Sequence, residues 1–565
     1  MRLLLVWQAD PLAAYSWMPP PAPNDIVVSF DALAVADLHE RDAQLSDALI
    51  TWEQRSAAES QVSRLVARLR DDEALATLGL DGHRLTPFIE YRARAEFAHV
   101  LRGFAIGRAA HGCRAVVADP SIPDAVVVGA RAGLGLDVGS APYAPDEPAA
   151  MPAPLRRLWA RSIMRTMAAA TPTRGVRVAA VLTAKVAPSV AALPRAQLRA
   201  AGLAAMPFPG LDYGNGARLA TQLRIPLLAT LDPLVARRNT APALPRAPDL
   251  GEDDSELSAA IGRVTWGLVE SSWPLFVATA HAVHALDAVS GLRALLLPTT
   301  AVGASRMLID WARRRGVAVA AVQHGVYGFK EHDGGDSRAD VLFAWSERVR
   351  EQASAWPQPR PRVVAVGVAG MAHASPRPPG DGRRLRVLVA TTGRPIESAL
   401  APTSFHEQFV VAITPGVRTL MDAGVGVQLR LHPRENPEVY RRILDGADLR
   451  LPFAPSMPFP EAANQADLLV SAPSSVAFEA GALGVPVLMW NGGIPSAVRR
   501  AHLVAPLSLD LPGSFSDAPQ FDALVADVLA EGAPAAGADL AAQLGSYATA
   551  FDPGAFAQGL RELAA

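Results

Sequence analysis

The sequence predicts an α/β protein made of doubly wound parallel sheets. Three observations carry the prediction. Short apolar runs of strand length alternate with stretches of helical periodicity along most of the chain. Several runs lead into a polar loop, a helix and a second apolar run, the strand–helix–strand unit whose right-handed crossover makes its strands parallel neighbours. The unit is plainest at 466–490, ADLLVSAPSSVAFEAGALGVPVLMW. There Pro473 stops the strand Leu468–Ser471, Val476–Leu483 has helical composition, Gly484 ends the helix and Pro486–Trp490 is the returning strand.

At 565 residues the chain is too long for one core, so two or three domains are expected. Leu3–Trp7 and Ile26–Phe30 read as buried strands joined by the Pro-rich loop Pro19–Pro23. Ser46–Leu101 is helix-like, an apolar stripe backed by arginines. Cys113–Val117 is a strand, Ala125–Leu134 a helix, and Ala141–Pro154, rich in Pro and Ala, a candidate linker. Val176–Leu182 and Arg224–Leu231 begin a new set of strands, Pro242–Asp254 is an acidic loop or boundary, and Glu256–Leu292 is a long helix. A compact βαβ pattern runs from Ala294–Leu297 to Val317–Val322, and Val341–Trp345 and Val363–Val366 complete this half.

Ala372–Arg384, AHASPRPPGDGRR, is the clearest linker. Leu385–Ala390, Val425–Leu431, Leu468–Ser471 and Val487–Trp490 supply the strands of the last part, and Phe521–Ala565 is helical and Ala-rich. The expected domains are 1–154, an α/β region of unassigned role; 155–371 and 385–565, two α/β domains facing each other across a cleft; and 372–384 between those two.

Half the residues are apolar and the net charge is −2, a globular composition with no overall field to gather nucleic acid. Positive charge is nearly all arginine, the lysines being Lys185 and Lys330. Cys113 is the single cysteine, which excludes an intrachain disulfide and a CxxC metal site. The opening MRLLLVWQAD has too short an apolar run for a signal peptide, and no uncharged apolar run reaches the roughly 18 residues of a membrane span. A cytoplasmic location is therefore expected, with peripheral attachment at the inner face of a membrane left open.

Ligands of doubly wound sheets sit beyond the carboxyl ends of the strands, and four such ends carry distinctive residues. Ser474 and Ser475 offer two hydroxyls at a helix N-terminus, where a phosphate is favoured, unless Ser474 serves only as a helix cap. Glu479 lies about one turn further along the same helix face, placed to accept hydrogen bonds from a ribose or a sugar. In AVQHGVYGFKEHDGGDSR, Gln323 and His324 come straight off a strand, Gly325 frees the backbone to turn, and Lys330, His332, Asp333 and Asp336 follow. A histidine there suits general-base work or charge stabilisation. In VQLRLHPR, Pro433 holds His432 at a strand end and Arg434 can grip a phosphate through two parallel hydrogen bonds. In ATTGRPIE, the amides of Thr391, Thr392 and Gly393 could approach a phosphate beside Arg394, or form an ordinary strand-to-helix turn. Neither a GxGxxG fingerprint nor a P-loop is present.

Thr-Thr-Gly, His-Pro and Ser-Ser in one half, with Gln-His-Gly in the other, resemble glycosyltransferases of the GT-B type, which have two facing Rossmann-like domains and hold the nucleotide mainly with the C-terminal one. The bacterial sialyltransferases and Kdo transferases, which use CMP-activated sugars, carry an HP and an SS motif, matched here by His432–Pro433 and Ser474–Ser475. The His-Gly of Gln323–Gly325 is similar to a signature of capsule-polysaccharide polymerases and of teichoic-acid polymerases, the latter using CDP-glycerol. The resemblance covers about 294–490. It departs at the base: the sialyltransferases carry two adjacent acids before a glycine, whereas His332–Asp333–Gly334 has one.

The resemblance implies a metal-independent transferase of bacterial surface-glycan synthesis, with no cofactor beyond a nucleotide-sugar donor, here a CMP-linked Kdo or sialic-like sugar, and a glycan or glycolipid acceptor. Its nucleotide site would comprise Thr391, Thr392, Gly393, Arg394, His432, Pro433, Arg434, Ser474, Ser475 and Glu479. His324, Asp333, Asp336 and His432 would be catalytic, and Gln323 and Lys330 would contact acceptor or phosphate. The alternatives are a CDP-glycerol or CDP-ribitol polyol-phosphate transferase, a UDP-sugar 2-epimerase, and a non-catalytic subunit of the same fold.

Overall fold

In a computed structural model the described residues are, apart from isolated positions, 1–7, 17–19, 24–30, 42–138, 175–183, 186–206, 255–323, 325–326, 337–354, 360–371, 385–392, 405–433, 437–532 and 537–565. The expected strand Arg224–Leu231, the loops at Pro19–Pro23 and Pro242–Asp254, and the linkers Ala141–Pro154 and Ala372–Arg384 lie wholly or largely outside them. The chain forms two compact units.

The first unit contains Met1–Pro152, Leu234–Val277 and Arg394–Glu407. Its sheet has strands β1 (Leu3–Val6), β2 (Ile26–Ser29), β3 (Gln44–Leu45) and β4 (Val116–Ala118), all parallel, in the order β3-β2-β1-β4. The central strand LLLV is buried throughout, as a strand covered on both faces must be. The stretch expected as one helical region is divided chiefly between α1 (Trp52–Asp71), opened by a capping box between Thr51 and Gln54, and α2 (Leu85–Ala109). Helix α2 packs against α3 (Asp124–Gly133) so closely that a β-carbon on Gly103 would meet the Val126 carbonyl, and one on Gly129 the Val100 carbonyl. Residues 234–277, expected in the second domain, belong here. The long helix α4 (Ser255–Ala285) brings Phe276 against Phe88 with ring centroids 5.5 Å apart, and Arg92 donates to Ser272 Oγ at 3.2 Å.

The second unit holds two parallel sheets. One consists of β5 (Val178–Ala180), β6 (Leu203–Ala205), β7 (Ala294–Leu297), β8 (Ala318–Val322), β9 (Val341–Ala344) and β10 (Arg362–Ala365), ordered β6-β5-β7-β8-β9-β10. Helix α5 (Gly303–Arg315) crosses from β7 to β8 and stops at Gly316, which takes the left-handed conformation that glycine adopts freely. The other sheet consists of β11 (Arg386–Ala390), β12 (Gly426–Arg430), β13 (Leu468–Ser471), β14 (Val487–Trp490) and β15 (Ser514–Phe515), ordered β12-β11-β13-β14-β15. In both, the order reverses beside the first strand, the mark of a doubly wound sheet and the place where ligands enter. The expected pair of Rossmann-like sheets with a further N-terminal α/β region is what the chain forms.

The two sheets of this unit share structure around Trp345. Trp345, just past β9, is buried in the core of the second sheet with Leu388, Leu469 and Phe478. Its carbonyl accepts both the amide and the hydroxyl of Thr549, at 3.0 and 2.9 Å. The final helix α10 (Pro553–Ala564) joins the first sheet's core rather than the second's: Phe556 meets the Phe343 ring edge-on at 4.8 Å. Among the described residues no helix is long and apolar enough to cross a membrane.

Candidate functional site

The second sheet's reversal lies between β11 and β13, and the Ser-Ser loop leaves β13 there. Ser474 is extended (φ −156°, ψ 155°) and precedes α8 (Ser475–Ala482), yet its side chain makes no cap hydrogen bond. Within the described residues neither the Ser474 nor the Ser475 hydroxyl takes a hydrogen-bond partner, and both residues are only half-buried. The capping alternative therefore does not describe Ser474. The helix start presents hydroxyls and unpaired amides together, a local field that favours an anion.

The Gln-His-Gly turn beyond β8 comes to the same place. A β-carbon built on Gly325 would stand 3.4 Å from Ser475 Oγ, so motifs 150 positions apart in sequence meet at the helix start. Gln323, expected to contact acceptor or phosphate, does something else. It is buried, its Nε2 donates to the Gly325 carbonyl at 2.9 Å, and its Oε1 accepts the Trp345 amide at 2.8 Å. The Trp345 indole N–H donates to the Gln323 carbonyl at 3.0 Å. Gln323 thus shapes the turn from beneath, a structural role that the expectation of a ligand contact did not include.

Thr391 likewise has a structural role. It is buried past the end of β11, and its amide, expected to face a phosphate, donates to the Arg430 carbonyl at 3.0 Å. Its hydroxyl donates to the Glu435 carboxylate and accepts the His432 amide at 2.9 Å. The His432 amide also reaches Glu435 Oε2 at 2.7 Å. Thr391 is scaffold for the His-Pro turn. Thr392 and His432 are half-buried at the strand ends and Pro433 is exposed. His324, Lys330, Asp333, Asp336, Gly393, Arg394 and Arg434 lie outside the described residues.

Glu479 faces inward from α8. Burial pushes its carboxyl up to about 7, against the pull of the nearby Arg430 guanidinium. Burial likewise lowers Arg430, which donates to the Met457 carbonyl at 2.7 Å and lies over the Phe459 ring at 5.9 Å. Near neutral pH Glu479 is therefore divided between a carboxylate that accepts hydrogen bonds and an acid that donates one. Arg430 and Glu435 are participants that the motif reading missed. Arg430 is the last residue of β12, where it reads as one more polar position of the strand, and Glu435 falls one residue past the window VQLRLHPR. Its three-residue offset from His432 is the signal that could have found it, because a side chain there can reach back across a turn. Among the described residues no group of three or more His, Cys, Asp or Glu side chains is assembled to hold a metal ion.

No protein-family model matches the chain, and no curated protein matches it. Several solved structures are similar to it. A putative UDP-N-acetylglucosamine 2-epimerase from Listeria monocytogenes is 14% identical, with 68% of this chain and 94% of that one covered at a TM-score of 0.41. A UDP-GlcNAc 2-epimerase from Neisseria meningitidis, bound to UDP-GlcNAc, is 13% identical over 69% and 99% of the two chains at 0.40. MurG from Acinetobacter baumannii is 14% identical over 69% and 98% at 0.39.

Proposed function

We propose that the chain is a nucleotide-sugar-dependent glycosyltransferase of GT-B type that acts in bacterial surface-glycan synthesis without a metal. The observation that carries the reading is the approach of the Gln-His-Gly turn to Ser475, which supports one site drawing on both sheets of the second unit. Ser474, Ser475 and the first amides of α8 bind the donor phosphate, where stabilising the charge of the departing phosphate gives the largest gain in rate. His432, with Arg434, positions the nucleotide, and Glu479 receives the ribose. His324, Asp333 or Asp336 takes the proton of the acceptor hydroxyl as the sugar is transferred.

The donor in this reading is a CMP-activated Kdo or sialic-like sugar, and the acceptor a glycan or glycolipid met at the membrane's inner face. The same Gly325–Ser475 approach also favours a second reading, transfer of polyol phosphate from CDP-glycerol or CDP-ribitol, since the His-Gly of that turn resembles a signature of those polymerases. Thermal shift with CMP, CDP, UDP, GDP and ADP separates them, because a ligand of the folded state raises its apparent stability. A preference for CMP followed by acceptor-dependent transfer from CMP-Kdo or a CMP-sialic acid is expected. Preference for CDP moves the assignment to polyol phosphates, and preference for UDP overturns both. Nucleotide binding without transfer to any acceptor leaves a non-catalytic subunit.

A further inference from the structure

The residues around the His-Pro turn form a hydrogen-bonded unit with one side chain at its centre. His432–Glu435 is a β-turn: the Glu435 amide donates to the His432 carbonyl at 2.9 Å, and Pro433 holds the second position, where its fixed φ suits the turn. The Glu435 side chain then reaches back over the turn it ends. Its Oε2 accepts the His432 amide and the Thr391 hydroxyl, and its Oε1 accepts the Tyr440 hydroxyl at 3.0 Å. Tyr440 is buried in α7 (Pro437–Gly446), the helix that follows.

One carboxylate therefore ties together the end of β11, the end of β12 and helix α7. The donors cannot be exchanged freely. Thr391 has a single hydroxyl proton; with that proton directed to Glu435, its lone pairs face the His432 amide. A carboxamide at 435 would keep one acceptor oxygen for the His432 amide and the Thr391 hydroxyl only if the Tyr440 hydroxyl turned from donor to acceptor, and it would replace charge-assisted hydrogen bonds by weaker neutral ones.

We propose that Glu435 is the positioning residue of the donor site: it fixes the backbone of the His-Pro turn so that His432 offers the nucleotide its imidazole and not its amide. This rests on the reading of that turn as part of a nucleotide site. The role is indirect, acting through His432.

The test compares Glu435→Gln, Thr391→Val and Thr391→Ser with the wild-type chain by two measurements. The first is hydrogen exchange of the amides at 429–436, which needs no ligand. Glu435→Gln and Thr391→Val are expected to speed exchange at the His432 amide at least tenfold, while Thr391→Ser, which keeps the hydroxyl, stays near wild type. The second is the Kd of the preferred nucleotide. Glu435→Gln is expected to weaken binding about tenfold, with Tm within a few degrees of wild type. The double variant Glu435→Gln/Thr391→Val should lose less affinity than the product of the two single losses, since both side chains hold the same His432 amide and each other. Unchanged exchange at His432 in Glu435→Gln overturns the proposal, as do unchanged affinity or losses that multiply in the double variant. If the wild-type chain binds no nucleotide, the site reading falls by itself, and the exchange experiment alone decides whether Glu435 holds the turn.

Discussion

Gly325 and Ser475 stand so near one another that a β-carbon on the glycine would lie 3.4 Å from the serine Oγ. That spacing leaves room for a methyl group and for little more. Gly325→Ala should keep most nucleotide affinity, whereas Gly325→Val, with two further carbons, should displace Ser475 and weaken binding about tenfold or more. Titration of both variants, alongside their Tm values, checks this. Equal affinity in Gly325→Val and wild type would mean that the turn and the helix start do not act together.

Ser474 begins a helix that its side chain does not cap. Replacing a capping serine by alanine ordinarily costs about 1 kcal/mol. Here Ser474→Ala should cost less than about 0.5 kcal/mol in urea unfolding, by comparison with that figure. Nucleotide or phosphate affinity should nonetheless fall roughly tenfold to a hundredfold, the worth of a hydrogen bond to a charged group. A large stability loss with affinity intact would return Ser474 to a purely structural role.

Gln323 behaves in the opposite way. Gln323→Ala leaves the buried Trp345 amide without its acceptor. An unsatisfied buried donor costs about 1–3 kcal/mol. Denaturant unfolding should register that loss, and any effect on catalysis should follow from a displaced Gln-His-Gly turn.

Glu479 gives the second unit a pH signature. Its carboxyl is raised from the ordinary 4.5 to about 7 in the folded chain, so the folded state holds a proton that the unfolded state has released between those values. Stability from this group is full below about 4.5, declines as pH rises through about 7, and then levels off. The loss is on the order of 3 kcal/mol. Glu479→Gln should abolish the decline and be the more stable protein at pH 8, which unfolding measured from pH 5 to 8 reveals. A parallel pair of curves would remove Glu479 from the account.

His99 in the first unit carries the reverse sign. Burial, with the Arg102 charge near it, lowers its imidazole from 6.5 to about 3, and its Nδ1 has no hydrogen-bond partner among the described residues. The unfolded chain takes up a proton that the folded chain refuses, so stability falls as pH drops below about 6.5. His99→Phe keeps a ring against Trp7, whose centroid lies 5.8 Å from that of His99, and should flatten the acid side of the profile. Unfolding of that variant and of wild type between pH 4 and 7 provides the comparison.

Apolar runs bounded by proline or glycine were legible in the sequence to within a residue or two. Leu468–Ser471 and Ala294–Leu297 coincide with β13 and β7. Leu203–Ala205 and Ser514–Phe515 were not, because strands this short carry too few alternations to separate from a loop. In the site, the residues that end strands were visible from their chemistry, but their duties were not. Thr391 and Gln323 look like ligand contacts in one dimension. Only the position of Glu435 and Trp345, brought in from other parts of the chain, shows that they hold turns in place.

Helix α10 completes a sheet whose strands precede it by hundreds of positions, through Phe556 against Phe343. During synthesis β5–β10 leave the ribosome with part of one face of their core still open, beyond what Val186, Val190 and Leu198 cover, and that part stays open until residues 553–564 have been made. The intervening sheet, β11–β15, has every strand available before then. The second sheet can therefore settle first, reversing the usual order in which the earlier domain folds ahead of the later one. A chain released early would expose an apolar surface on the first sheet, and quality control would meet that surface rather than a damaged active site.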